Sequence, residues 1–155
     1  MTNLRVALGF ILILLLAGCG NPVNNTVNGT WNATLTDSGG ATMTFTASIS
    51  TAADGTVSAS ITNFTGDTYG CLSNPQTPYA LAIPGTDSNG QKTTFLDLSM
   101  GSPTSNGNDG ISLSGPLSSG KISGNWNMTG PAIQCNDHGT FTMVGVPAPY
   151  LPKGS

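Results

Sequence analysis

Residues 41–50 read Ala-Thr-Met-Thr-Phe-Thr-Ala-Ser-Ile-Ser. Apolar Ala41, Met43, Phe45, Ala47 and Ile49 take every odd place, and hydroxyl side chains take every even one. Successive side chains of an extended chain point to opposite faces, so this alternation writes one dry face and one wet face. A helix would scatter the same residues around its whole circumference. Threonine on the wet side adds the strand preference of a β-branched residue. The stretch predicts a half-buried antiparallel strand.

The same rhythm runs on in both directions. Trp31, Ala33 and Leu35 share a face before it; Val57, Ala59 and Ile61 share one after it. Further sets are Tyr79, Leu81 and Ile83, then Leu96, Leu98 and Met100, then Ile111 and Leu113. Ile122, Trp126 and Met128, and finally Phe141 and Met143, complete the series. Between the sets fall the turn signals Ser38-Gly39-Gly40, Asp54-Gly55, Asn89-Gly90, Asn106-Gly107 and Ser119-Gly120. The expected fold is all-β, an antiparallel meander of about eight strands over residues 28–146. Short hairpins favour a closed barrel, with two packed sheets in a β-sandwich as the alternative. Few lysines fall in the strands to protect open edges, which also favours closure.

Both ends of the chain break the rhythm. Residues 1–18 open with Arg5 and the apolar run Val6 to Leu16. At about 16 Å as a helix, this run is too short for a hydrocarbon core of about 30 Å and reads as a signal peptide. Leu16-Ala17-Gly18-Cys19 follows directly and resembles the lipobox of bacterial lipoproteins. That resemblance implies cleavage before Cys19, lipid on its thiol, and a membrane partner held through that lipid. Gly20 in place of the family's retention-type aspartate implies the outer membrane. Residues 19–27 then read as a tether, and residues 147–155, with three prolines, as a loose tail.

With Cys19 lipidated, Cys71 and Cys135 remain as a pair in an oxidising compartment. Meander parity sends both to one end of the barrel, opposite the end at which the tether joins. The same far end collects Asp37, Asp67, Tyr69, Asp109, Asp137 and His138, the single histidine. Asp67, Asp137 and His138 are the candidate polar site there. Calcium would want six to eight oxygens and zinc more His or Cys. Turns use Asp, Asn and Gly for their own reasons. The expectation is a structural rim with neither metal nor cofactor; Asp87-Ser88-Asn89-Gly90 likewise reads as a turn.

Charged residues make up 7% of the chain, and its formal net charge is −3. Loss of the leader removes Arg5, its only arginine, so no surface remains that neutralises a run of phosphates, and nucleic acid is excluded as a partner. No Gly-x-Ser-x-Gly elbow occurs, and seven aspartates without glutamate form no recognisable catalytic pair. An enzyme is not expected.

Asn28-Gly29-Thr30-Trp31 resembles the Gly-x-Trp opening of the calycin barrels, the lipocalins and avidins. Ser123-Gly124-Asn125-Trp126, Cys135 and Gly139-Thr140-Phe141 resemble the late segment of small Thr/Ser/Gly-rich bacterial lipoproteins. The likeness implies a barrel and no particular ligand. Two functions are therefore carried forward. One is a non-enzymatic envelope module, structural or interacting with another envelope component through its exposed rim. The other is a barrel for a small hydrophobic ligand, walled by Trp31, Phe45, Tyr79, Trp126 and Phe141.

Overall fold

The computed structural model describes residues 26–67, 70–72, 77–101, 110–130 and 132–147. The leader, Cys19, Tyr69, Asp109 and the tail from residue 148 lie outside them. Eight strands follow one another: β1 (Gly29–Asp37), β2 (Thr42–Thr51), β3 (Val57–Thr65), β4 (Thr77–Thr86), β5 (Lys92–Gly101), β6 (Gly110–Ser118), β7 (Lys121–Thr129) and β8 (Asp137–Gly145). One 3-10 turn, Ile133–Cys135, precedes β8. All eight belong to a single antiparallel sheet, so the fold is a meander and not a sandwich.

The order across the sheet is β3-β2-β1-β8-β7-β6-β5-β4. The first and last strands pair, Trp31 opposite Gly145 through Asp37 opposite Gly139. What stays unlatched is the seam between β3 and β4, which lie beside each other without a ladder among the described residues. The expected eight-stranded antiparallel meander is present, its sheet strongly curled into a half-barrel with this one seam unlatched. Proline supplies a reason. Pro78 and Pro84 share parity with Ala80 and Ala82, and neither can donate an N–H. A strand accepts proline where the missing N–H would point away from its neighbour. β4 keeps a full register with β5 and loses donors on its open side.

The curl is filled from one face. Trp31, Leu35, Leu96, Leu98, Met100, Ile111, Leu113, Ile122, Trp126 and Met143 are all essentially buried, and no polar residue described is. Each such burial contributes on the order of 1.5–3 kcal/mol. Val27, read as part of the tether, is also in this core. The alternation in residues 41–50 holds, with Met43, Phe45, Ala47 and Ile49 inward. In β3 the phase changes once. Asn63 has φ 55°, and the register with β2 slips between Thr44 and Thr46. This bulge turns Phe64 inward, where its ring stacks on Phe45 with centroids 6.0 Å apart.

β4 corrects the sequence reading. Tyr79, Leu81 and Ile83 were expected inside, yet they are 62%, 40% and 43% exposed, while Ala80 is buried. Every residue from Pro78 to Pro84 is apolar, so alternation could not choose the phase. The partner strand chose it. Inward Leu98 and Leu96 lie directly opposite Ala80 and Ala82, and only small side chains fit beside them.

Gly139 shows how closely the strands meet. Its place is taken up by the Thr36 carbonyl oxygen and by Trp126 Nε1, which would lie 2.8 Å from an added Cβ. That absence of a side chain lets the Trp126 indole cross β8 and donate to Thr36 O at 3.2 Å. Gly139→Ala is therefore expected to cost about 1–3 kcal/mol through overpacking, read as a lower urea midpoint at unchanged slope.

Candidate functional site

Turn geometry brings the far-end residues together. A disulfide joins Cys71 and Cys135, with Cα atoms 5.4 Å apart and a sequence separation of 64. It ties the β3–β4 loop to the 3-10 turn before β8, at the end also reached by the β1–β2 turn. Sequence parity located this bond correctly. Beside it, Asp67 accepts from Cys71 N at 2.9 Å and from Leu72 N at 2.7 Å. Asp37 accepts from Gly39 N and Ala41 N, both at 2.8 Å. A hollow of about 70 Å³ lies between Asp37, Asp67 and Asp137, with Met43 and Met128 among its lining.

These carboxylates do the work of turns. Asp87 repeats the Asp37 pattern, accepting from Asn89 N and Gln91 N at 2.9 Å each. Such local bonds explain why aspartate heads these loops. His138 is exposed, and its backbone N–H donates to Asp137 Oδ1 at 2.7 Å. Among the described residues, no three of His, Cys, Asp or Glu are grouped to hold a metal. The candidate rim residues Asp67, Asp137 and His138 do share one end of the molecule.

The residues nominated as a ligand wall divide. Trp31, Phe45, Trp126 and Phe141 are within 3% of full burial and belong to the packed core. Tyr79 leaves the set altogether, since it points outward. Both indole N–H groups have protein acceptors, Trp126 as above and Trp31 through Val27 O at 2.8 Å. A hollow of about 460 Å³ lies elsewhere, at the tether end. It is bordered by Gln91, Lys92, Thr93, Ser118 and Ser119, a polar lining unsuited to an apolar ligand.

The tether end is also tightly fastened. Trp31 holds Val27, Thr51 Oγ1 donates to Asn28 Oδ1 at 2.7 Å, and Val146 N donates to Thr30 O at 2.7 Å. Lys92 and Lys121, the lysines described, open β5 and β7 at this same end. Lysine and the disulfide rim thus sit at opposite ends.

What sequence reasoning missed is a surface. The outer face of β4 carries Tyr79, Leu81 and Ile83, and β5 adds the half-buried Phe95 directly opposite Ile83. Gly85 leaves room for that ring, which would lie 2.7 Å from an added Cβ. The clue available beforehand was the pair Pro78 and Pro84, which mark an edge strand.

No known protein family, curated protein or solved structure matches the chain.

Two outcomes follow from the turn chemistry. Reducing the Cys71–Cys135 bond is expected to lower stability by on the order of 4 kcal/mol in urea unfolding, the loop-closure entropy it removes. Asp54 accepts from Thr56 N at 2.9 Å, and this bond holds its carboxyl below the ordinary value. A folded pKa below the unfolded one stabilises above the ordinary carboxylate range and stops doing so as pH falls through the lowered value. The difference in melting temperature between wild type and Asp54→Ala is therefore expected at neutral pH and to shrink below about pH 3–4.

Proposed function

We propose that the protein is an exported, lipid-anchored envelope module that works through its outer surface, without a reaction of its own. The observation that carries this reading is the interior: Trp31, Phe45, Trp126 and Phe141, the rings able to wall a ligand, are buried members of one hydrophobic core. The turn carboxylates Asp37, Asp54, Asp67 and Asp87 are engaged by backbone N–H groups. Surface is what remains for a partner to meet.

Anchorage is supported by the way the chain enters the domain. Trp31 holds Val27 at the end opposite the disulfide, and a tether from Cys19 would join the domain there. The eight residue steps from Cys19 to Val27 span at most about 27 Å. Two or more acyl chains, at about 0.8 kcal/mol per buried CH₂, keep such a domain on its membrane. The outer membrane is the proposed address, by the lipobox rule applied to Gly20.

Native mass spectrometry of the protein purified from its own envelope tests the whole reading. The expected mass begins at Cys19, carries acyl chains, lacks two hydrogens for the disulfide and includes no small molecule. A retained apolar compound would favour the lipocalin-like alternative instead. An unmodified N-terminus would end the claim of anchorage.

A further inference from the structure

β5 and β6 separate before they end. Their ladder runs from Gly101 opposite Gly110 to Phe95 opposite Pro116 and stops there, at a residue with no N–H to give. Each strand stays paired on its other side, β5 with β4 as far as Lys92 opposite Thr86, and β6 with β7 as far as Ser118 opposite Lys121. What bridges the parted ends is a side chain, since Thr93 Oγ1 donates to the Leu117 carbonyl. The hollow of about 460 Å³ at the tether end opens between them, within the roughly 300–1,000 Å³ of small-molecule sites. The turn beside it does not demand such a gap. Asp37 builds the same turn as Asp87, and there the neighbouring ladder runs to its end, Asp37 opposite Gly139.

We infer that this gap is a binding site for a short neutral sugar chain. Its lining selects that class. Thr94, Ser118 and Ser119 offer hydroxyls and Gln91 an amide, each able both to donate and to accept. Lys92 only donates. Asp87 takes both of its turn N–H groups on Oδ1, and Oδ2 has no partner among the described residues. A ligand built of hydroxyls, each of them donor and acceptor at once, satisfies this mixture. An anion would meet the Asp87 carboxylate, a cation would meet the Lys92 ammonium, and an apolar ligand would leave all of these groups unpaired.

The inference gives the surface-acting module a partner class and rests on that reading for the absence of a reaction. Asp87 is the one carboxylate lining the gap among the described residues, whereas glycoside hydrolysis uses two. The sugar is held and not cut. Each hydrogen bond to it replaces one to water, so Kd is on the order of 1 mM and no sugar is retained through purification.

The test uses the full mature chain reconstituted in lipid vesicles and saturation-transfer NMR, with maltose, cellobiose and the disaccharide of N-acetylglucosamine as probes. At least one is expected to receive saturation, with a Kd that does not change between low and high salt because the probe is uncharged. Lys92→Ala is expected to weaken binding about tenfold and Gln91→Ala several-fold. Ser114→Ala, exposed on β6 away from the gap, is expected to leave it unchanged. No saturation of any of the three disaccharides would overturn the site, as would binding indifferent to both Lys92→Ala and Gln91→Ala. Binding of inorganic phosphate in place of the sugars would overturn the neutral class. New anomeric signals growing in with time would instead end the reading of a module without a reaction, with the sugar site still standing.

Discussion

A single sheet has one inner face, and here nearly all the large apolar side chains must share it. The curl brings opposite strands close enough for Trp31, Leu98, Trp126 and Met143 to lose water together. Volume then becomes the governing constraint. Wherever one strand places a large side chain, its neighbour answers with a small one, as Ala80 and Ala82 answer Leu98 and Leu96. Gly139 answers Trp126 in the same way, taken to the limit of no side chain at all. Interiors packed to crystal-like density allow little else.

The position of the seam follows from backbone chemistry. Pairing of β1 with β8 brings the start of the first strand and the end of the last together, Trp31 opposite Gly145, on the side of the sheet away from the opening. The remaining edges belong to β3, which carries a bulge, and β4, which carries two prolines. Both features blunt an edge against uncontrolled pairing. Lysine, the commoner device, is found at the tether end instead, at the heads of β5 and β7.

Polar chemistry in this molecule is mostly local. Asp37 and Asp87 build nearly identical turns with the same acceptor pattern and spacing. Asp67 braces the loop that delivers Cys71 to Cys135. With carboxylates so placed, the polar gap between the ends of β5 and β6 is a feature that folding does not explain. It is therefore where an interaction is best sought.

Alternation of dry and wet side chains made the strands legible before any coordinates, because period two leaves a trace in every half-buried strand. The turns were legible through Gly, Asn and Asp, and Ser119-Gly120 takes the positive φ values, 52° and 72°, that its hairpin needs. Parity of hairpins put Cys71 and Cys135 at one end. Three things were decided only by tertiary structure. The phase of β4 was one, since Pro78 through Ile83 is apolar on both faces and only the opposing leucines select a side. The seam was another, because strand count alone does not say which pair stays unlatched. The fate of the aromatic wall was the third: whether rings enclose a space or fill it depends on volumes summed across eight strands, a quantity no single stretch of sequence carries.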